Sequence, residues 1–369
     1  MKKVLEIIGS LKIGGQEKVG KEIGLHIDRK KYEIHYLVFD KEKGEYEKEL
    51  NVAGIKVFHF QEPSKGYLQY FKNLKKLLKE NSYSIIHAHT MFNCGWAMFM
   101  GWYMKVPSRI SHSHSIKMAN FHYSTIVKVY QCIMRQLIKR FGTDFIGCGQ
   151  AAGEWLFGKS FFEKRGRVLY NGIATREFLF SRDARDKIRE ELNIQNKFVI
   201  GHVGHFAQVK NQQFLISLMP EIIKKKPEAT LLLLGDGELK DQLTEYCKKL
   251  GIMDRVIMTG NVSNVADYLS AMDVFAFPSL YEGMPLSIIE VQCNGLPCVI
   301  SDSVPDDVYL TDLIMPLSLK DPKEKWIKEI CGASRYDSQK YGKIVGETGF
   351  DESNMLKNIY KIYDNVKER

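Results

Sequence analysis

The chain has 369 residues, of which 44% are hydrophobic and 26% charged, and its formal net charge is +9. This length exceeds what one hydrophobic core usually accommodates, so two domains are expected, and no apolar run approaches the roughly 18 residues that span a bilayer. The seven cysteines form no CxxC pair, which argues against a structural zinc site. No nucleic-acid-binding motif accompanies the positive charge, which argues against nucleic acid as a partner. We therefore expect a cytoplasmic globular protein of two domains.

The first 172 residues alternate short apolar strands with amphipathic helices. The predicted strands are KKVLEIIG, YEIHYLVFD, GIKVFHF, SIIHAHT, RISHSHS and DFIGCG, and helices such as QEKVGKEIGLHI and LQYFKNLKKLLKEN stand between them. Strand followed by helix, repeated, predicts an α/β fold with a doubly wound parallel sheet and helices on both faces. Residues 1–172 are therefore assigned to a Rossmann-like N-terminal domain.

The loop after the first strand, GSLKIGGQEKVG, carries Gly14 and Gly15 just ahead of a helix. These glycines permit a tight turn and a close backbone approach, and the helix start offers free amides to an anion. The loop is not a GxGxxG fingerprint, so a dinucleotide site is poorly supported. A turn that only begins a helix is the alternative.

Four histidines stand at the carboxyl ends of two predicted strands: His87 and His89 in HAHT, and His112 and His114 in SHSHS. That end of a parallel sheet faces the ligand crevice, and the two-residue spacing places each pair on one side of its strand. No carboxylate lies in the surrounding interval to complete a metal site, so hydrogen bonding to a polar substrate is favoured. Packed core histidines remain the alternative for the first three.

The interval between Glu80 and Asp144 contains no acidic residue. It holds basic residues that include Lys105, Arg109, Lys117 and Lys128, with tryptophan, phenylalanine and tyrosine among them. A basic, aromatic-rich face suits an anionic membrane surface or a phosphate-bearing lipid, and these four residues are predicted to form an acceptor or membrane face. The alternative is an ordinary solvated basic surface.

A second series of strands begins after a charged segment at residues 173–196, which is predicted to be a linker. The strands FVIGHVGHF, ATLLLLGDGE, RVIMTG, DVFAFPS and PCVISD indicate a second Rossmann-like domain at 197–345. Residues 346–369 contain a closing helix that could pack back on the N-terminal domain. Two such domains imply a cleft between them where a ligand binds.

Two stretches of the second domain carry candidate binding residues. His205 and Lys210 lie beside a helix start and form a plausible diphosphate pocket. In SLYEGMPLSIIEVQCNGLPCVISD, Pro285 is expected as the first residue of a helix, which aims the amides of Gly283, Met284 and Leu286 at an anion or sugar hydroxyls. Glu282 precedes that helix and Glu290 lies within it. Because they belong to different elements, they suit two hydroxyl-binding roles better than an acid and base pair.

The order of these motifs resembles the retaining glycosyltransferases of family 4, which have the GT-B fold of two Rossmann-like domains. The resemblance covers nearly the whole chain. Its most specific part is EGMPLSIIE followed by GLPCVISD, which is similar to the family's Glu-x7-Glu signature. The supporting matches are IGG, HAHT, RISHSHS, LYNGI, VGHFAQVKN and LLLLGDGE.

The resemblance implies a role for each matching residue. His114 would hydrogen-bond the transferred sugar, Lys210 would hold the donor phosphates, and Glu282 would hold the sugar and phosphate; these three are the expected catalytic residues. Glu290 would bind the ribose. The implied donor site consists of Gly14, Gly15, His205, Lys210, Glu282, Gly283, Met284, Pro285, Leu286 and Glu290. Two positions depart from the family: His205 replaces the usual Arg, and Ala174 replaces a common Asp.

The implied activity is metal-independent transfer, with retention, from a nucleotide sugar, by the family's habit a UDP-sugar, and without a cofactor. The implied acceptor is a saccharide or a sugar on polyprenyl diphosphate, in capsular or exopolysaccharide synthesis at the inner face of the cell membrane. One alternative is a UDP-N-acetylglucosamine 2-epimerase of the same fold, which would need carboxylates at the N-terminal reaction centre. Another is a catalytically silent nucleotide-sugar-binding subunit, which His205 favours.

Overall fold

The structure is a computed structural model that describes residues 1–12, 14–115, 124–335 and 338–366. The chain forms two compact units. The first comprises Met1–Gly172 together with Glu352–Arg369, and the second comprises Ile173–Asp351. Residues 173–196, expected as a linker, therefore belong to the second unit, and the last helix belongs to the first.

The first unit is built on a seven-stranded parallel sheet with the order β3-β2-β1-β4-β5-β6-β7. Its strands are β1 Lys2–Ile8, β2 Tyr32–Val38, β3 Lys56–His59, β4 Ile85–Ala88, β5 Ser108–Ser113, β6 Asp144–Gly147 and β7 Gly166–Val168. Its helices before residue 172 are α1 Gly15–His26, α2 Glu45–Val52, α3 Tyr67–Asn81, α4 Cys94–Tyr103, α5 Thr125–Phe141, α6 Gln150–Phe157 and α7 Lys159–Arg165. The six predicted strands are present, and β7, three residues long, was not predicted.

The central strand β1 is buried on both of its faces, as expected for a parallel strand covered by helices on each side. Leu5 and Ile7 belong to one hydrophobic layer, formed largely with α3, α4 and α5. Val4 and Ile8 belong to the opposite layer, which includes residues of α1. This double burial makes Glu6 conspicuous, because it is the fully buried charged residue of the strand, whereas Lys2 and Lys3 at its start are partly exposed.

The second unit is built on a six-stranded parallel sheet with the order β10-β9-β8-β11-β12-β13. Its strands are β8 Phe198–Val203, β9 Ala229–Leu234, β10 Val256–Met258, β11 Val274–Phe277, β12 Cys298–Ser301 and β13 Ile314–Leu317. Its helices are α8 Arg182–Glu191, α9 Gln212–Lys225, α10 Lys240–Lys249, α11 Val265–Ala271, α12 Leu286–Cys293, α13 Lys323–Gly332 and α14 Ser338–Gly346. The prediction of two doubly wound parallel sheets is confirmed.

The last helix, α15 Glu352–Asp364, packs into the first unit. Its residues Met355, Ile359 and Tyr363 are buried in the layer that contains Val4 and Ile8. The helix thus brings a tyrosine to the interior of a sheet whose last strand ends at Val168. Among the described residues, no helix is long and apolar enough to cross a membrane.

Candidate active site

The first unit gathers all four predicted histidines into one group, which we name the histidine cluster: His87, His89, His112 and His114. Strands β4 and β5 are neighbours in the sheet, so the two pairs stand side by side at its carboxyl edge. Nε2 of His87 lies 3.2 Å from Nδ1 of His112, and Nδ1 of His89 lies 2.8 Å from Nε2 of His114. The first three side chains are buried, and His114 is partly exposed.

A carboxylate from β1 lies against this cluster. Glu6 pairs with His87 in the sheet register and is fully buried. Its Oε1 lies 3.2 Å from Nδ1 of His87, and its Oε2 lies 2.7 Å from Nε2 of His89. The argument that no carboxylate reaches these histidines is therefore wrong, because a strand remote in sequence supplies one.

Two further polar side chains complete the surroundings of the cluster. The hydroxyl of Tyr363 donates to Oε1 of Glu6 and lies 2.8 Å from Nδ1 of His87. Nδ1 of His114 lies 3.1 Å from Oδ1 of Asn171. Nε2 of His112 is buried and has no hydrogen-bond partner among the described residues. Side-chain contacts therefore connect Tyr363 and Glu6, through His89 and His114, to Asn171.

Burial sets the ionisation of this group. It lowers the pKa of His89 to about 4, with a further decrease from the charge of His87. It also holds the pKa of His112 and of His114 well below the usual range, again with help from neighbouring histidines. For Glu6, burial raises the pKa, but the charge of His87 and the hydrogen bonds from His87 and His89 outweigh it and bring the pKa far below its usual value. Glu6 is thus an anion, and the side chains of His89, His112 and His114 are neutral imidazoles at neutral pH.

Three nitrogen atoms of the histidine cluster are close enough together to coordinate one metal ion. One nitrogen from each of His87, His89 and His112 lies within 4.8 Å of the others. In the structure, these rings are engaged with one another and with Glu6.

The second unit brings Lys210 and Glu282 together. Nζ of Lys210 donates to Oε1 of Glu282 at 2.8 Å, with the two side chains 19% and 11% exposed. The same ammonium lies 4.9 Å from the centre of the Phe277 ring. Partial burial strengthens the attraction of an ammonium for an anion, and the carboxylate of Glu282 competes with an incoming anion for it.

Backbone hydrogen bonds fix the loops that carry this pair. The amide of Leu280 donates to the carbonyl of Val209 at 2.8 Å, and the side chain of Asn211 donates to the carbonyl of Pro278. These bonds join the loop after β11, which holds Glu282, to the turn after β8, which holds Lys210. The position of the ammonium is thus set by two strand ends and not by one flexible loop.

The corner around Pro285 differs by one residue from the prediction. Helix α12 begins at Leu286, and Pro285 precedes it with ψ of 97°, outside the helical range. Glu290 lies on the second turn of α12 and Glu282 in the loop before it, so the two carboxylates belong to different elements. Gly283 and Met284 lie in that loop, ahead of the free amides at the start of α12.

His205 does not join Lys210 in the arrangement seen here. Its Nε2 lies 3.0 Å from Oε2 of Glu238, and both side chains are more than 60% exposed. Glu238 follows the loop after β9, the strand next to β8 in the sheet. The two side chains expected to form one diphosphate pocket thus contact two different carboxylates.

Gly14 and Gly15 stand where the sequence places them. Gly15 is the first residue of α1, and Gly14 precedes it in an extended conformation without a side-chain cap. A Cβ on Gly14 would clash with a carboxylate oxygen of Glu17, so a larger residue would displace this side chain. The neighbouring Ile13 lies outside the described residues.

Of the four residues of the predicted acceptor or membrane face, the three that the structure describes do not form one patch. Lys117 lies outside the described residues. The guanidinium of Arg109 donates to the carbonyls of Val106, Pro107 and Phe141, which holds it against the chain. Lys105 is exposed just ahead of β5, whereas Lys128 is exposed on the first turn of α5, which follows β5. The two lysines therefore lie toward opposite edges of the sheet.

Sequence reasoning did not assign Glu6, Tyr363 or Asn171 to the site. Glu6 had one available signal, since it is a charged residue inside an apolar strand with a central position in the sheet. Asn171 lies in the LYNGI motif, without an assigned partner. Nothing local distinguishes Tyr363 from other aromatic residues on the apolar face of the last helix.

Two doubly wound parallel sheets with polar clusters at their carboxyl edges are the architecture of the GT-B fold. A family model described as Glycosyltransferase Family 4 matches residues 13–177, and one described as Glycosyl transferases group 1 matches residues 184–312. The chain belongs to the family 4 glycosyltransferases. The prediction made from the order of motifs is confirmed.

Several curated relatives match over long stretches. EpsF of Bacillus subtilis strain 168, classed with the glycosyltransferases, is 29% identical over 379 residues, covering 100% of this chain and 98% of EpsF. The capsular polysaccharide biosynthesis glycosyltransferase CapH of Staphylococcus aureus is 28% identical, covering 82% of this chain and 81% of CapH. The UDP-Gal:alpha-D-GlcNAc-diphosphoundecaprenol alpha-1,3-galactosyltransferase of Escherichia coli is 27% identical, covering 62% of this chain and 60% of that enzyme.

Among solved structures, HepE from Anabaena in complex with UDP has the same fold. The TM-score is 0.80 at 22% sequence identity, over 99% of this chain and 100% of HepE. This likeness supports the fold assignment independently of the sequence relatives.

Proposed function

We propose that this protein transfers a sugar from a UDP-sugar to a lipid-linked saccharide during capsular or exopolysaccharide synthesis. The observation that carries the proposal is the pair of Lys210 and Glu282, because a cation held in a partly buried loop of the second unit suits a donor diphosphate. The uridine nucleotide is suggested by HepE, whose structures contain UDP and UDP-glucose.

The acceptor follows from the relatives. The name of the Escherichia coli relative specifies an acceptor sugar on diphosphoundecaprenol, and that of CapH specifies capsular polysaccharide biosynthesis. We assign acceptor binding to the first unit and donor binding to the second.

The proposed reaction proceeds on one face of the sugar with retention of its configuration. The bond from the anomeric carbon to the phosphate oxygen breaks as the bond to the acceptor oxygen forms. The acceptor proton passes to the departing phosphate oxygen. Lys210 and the amides at the start of α12 stabilise the negative charge that develops on the diphosphate, while His114 hydrogen-bonds the sugar.

A turnover assay tests the proposal. The purified protein is incubated with UDP-sugars, with and without a polyprenyl diphosphate saccharide, and UDP and sugar products are measured. Release of UDP and a new glycoside only with acceptor supports transfer. Isomerised donor without acceptor supports the epimerase, a rival that the carboxylate of Glu6 beside the histidine cluster favours. Donor binding without either product supports a silent subunit.

We expect Glu290→Ala to weaken binding of the UDP-sugar about 10-fold or more, because hydrogen bonds to the ribose contribute roughly 1–3 kcal/mol each when a charged group accepts them. Isothermal titration calorimetry measures the dissociation constant. Glu324→Ala, on the exposed side of α13, is the matched control. Unchanged affinity in folded Glu290→Ala would remove Glu290 from the donor site.

We further propose that the reaction needs neither a metal ion nor a cofactor, since Lys210 and helix amides supply the positive charge. Dialysis against EDTA should leave turnover unchanged. Metal content is measured by mass spectrometry on the same sample, because the histidine cluster could retain an ion. Lost activity that a divalent cation restores would contradict this proposal.

An exposed apolar stripe on α5 supports contact with a membrane. Ile126, Val129 and Ile133 are 82%, 52% and 51% exposed, and their spacing places them on one face of the helix. Lys128 lies beside them, and α5 contains no acidic residue. An apolar stripe flanked by basic residues suits the interface of an anionic bilayer. We propose that this stripe, and not Lys105 or Arg109, provides the membrane contact.

We expect the protein to float with vesicles that contain phosphatidylglycerol, and to dissociate as salt is raised, because attraction to anionic lipid is screened by salt. Ile126→Asp should reduce the floated fraction. Val52→Asp is the matched control, since Val52 is also an exposed apolar residue of the first unit, at 91%. Equal flotation of all three proteins would exclude the stripe, and no flotation would exclude the membrane contact.

A further inference from the structure

A continuous path of side-chain contacts joins the interior of the first unit to His114. Oε2 of Glu6 lies 2.7 Å from Nε2 of His89, and Nδ1 of His89 lies 2.8 Å from Nε2 of His114. The other oxygen of Glu6 is engaged by Tyr363 and His87. Oε2 therefore faces His89, and both nitrogens of that imidazole have a contact: Nε2 with Glu6 and Nδ1 with His114.

The chemistry of these groups determines which nitrogen carries each proton. An ionised carboxylate only accepts hydrogen bonds, so the contact with Glu6 requires a proton on Nε2 of His89. A neutral imidazole has one proton, so Nδ1 of His89 is left with a lone pair. The contact between the two histidines then requires a proton on Nε2 of His114. Its Nδ1 in turn carries a lone pair.

Among the described residues, Asn171 is the side chain that contacts this nitrogen. With Nδ1 of His114 as acceptor, the terminal amide of Asn171 must turn by 180° from the orientation that places Oδ1 at 3.1 Å, so that its NH₂ group donates. A bound sugar hydroxyl could then donate to the same nitrogen.

We propose that Glu6 is a positioning residue: through His89 it fixes the tautomer and the orientation of His114, so that Nδ1 of His114 accepts a hydrogen bond from a hydroxyl of the transferred sugar. The proposal rests on the proposed function for the part that concerns the sugar. The tautomer itself is a property of the free protein. Glu6 has no assigned role in catalysis, and it touches no substrate in this proposal.

The tautomer is measured first in the unaltered protein. Nitrogen NMR of the chain labelled with ¹⁵N-histidine distinguishes a ring nitrogen that carries a proton from one that does not, and His114→Gln identifies the signals of His114 by their loss. We expect a proton on Nε2 and none on Nδ1 of His114 at neutral pH. A proton on Nδ1, or on both nitrogens, would overturn the proposal without any variant that might fail to fold.

Glu6→Gln then tests the consequence for catalysis. A glutamine amide both donates and accepts, so it no longer dictates the proton on Nε2 of His89. We expect altered signals of His114 and kcat lower by about 10- to 100-fold, since a small misplacement of a group at the reacting centre has effects of that size. The KM for the UDP-sugar should change less than kcat, because in the proposed function the second unit binds the nucleotide part of the donor.

The first unit offers a matched control. Glu47 is buried and its Oε1 lies 3.2 Å from Nε2 of His59, so Glu47→Gln makes the same chemical change at another carboxylate–imidazole contact. It should leave both kcat and the signals of His114 unaltered. If the protein is active and Glu6→Gln leaves kcat and the signals of His114 unaltered, as Glu47→Gln should, the positioning role is refuted and the transferase assignment stands. If no transfer occurs at all, the NMR result still decides the tautomer.

Discussion

Lys210→Ala is expected to lower kcat about 100- to 1,000-fold, the effect of removing one preorganised group that stabilises negative charge in a transition state. Lys210 is the cation that the loops after β8 and β11 hold in place. Its removal leaves the carboxylate of Glu282 facing the donor phosphates without compensation, which adds repulsion. Turnover of UDP-sugar with acceptor is the measurement, compared at saturating donor.

Two further variants separate charge from geometry at this position. Lys210→Arg keeps the positive charge but replaces a compact ammonium with a planar group, so a partial loss is expected. Lys325→Ala removes a more exposed lysine that is also paired with a carboxylate, Asp321 at 2.9 Å, and should leave kcat unaltered. A folded Lys210→Ala protein with the rate of the unaltered enzyme would show that Lys210 does not act on the leaving group.

The local parts of the fold and site could be predicted from the sequence, because strand patterns and the ends of strands are local features. His87, His89, His112 and His114 were placed correctly at the carboxyl edge, since adjacent strands of a parallel sheet end together. The strands β7 and β13 were not predicted: β7 has three residues, and β13 contains Pro316, a residue that is uncommon inside strands. The start of α12 differs by one residue, which is the usual uncertainty of a helix boundary.

The rest depends on contacts between residues far apart in the chain. Glu6 meets His89 across 83 residues, and Tyr363 meets Glu6 across 357 residues, so no local pattern could reveal either contact. The separation of Lys105 from Lys128 has a related origin. Lys105 precedes β5 and lies near the edge of the sheet where the strands begin. Lys128 lies at the start of α5, which follows β5, and so near the edge where the strands end.

Acid is expected to destabilise the protein as the pH falls from about 6.5 to about 4. Burial lowers the pKa of His89 and of His202 to about 4, while an unfolded histidine has a pKa near 6.5. Between these values the unfolded chain binds a proton that the folded chain does not. The free energy of unfolding therefore falls with decreasing pH, by about 1.4 kcal/mol per pH unit for each such group.

The second unit offers a clean test because His202 is its single fully buried histidine among the described residues. Nδ1 of His202 lies 3.0 Å from the carbonyl of Ala276, its ring stacks near Phe275 and Phe277, and the charge of Lys210 adds to the effect of burial. Thermal melting followed between pH 4 and pH 8 should show a smaller loss of stability in acid for His202→Leu. An equally steep loss in that variant, with the unit still folded at pH 8, would mean that His202 takes up its proton as readily in the folded state as in the unfolded chain.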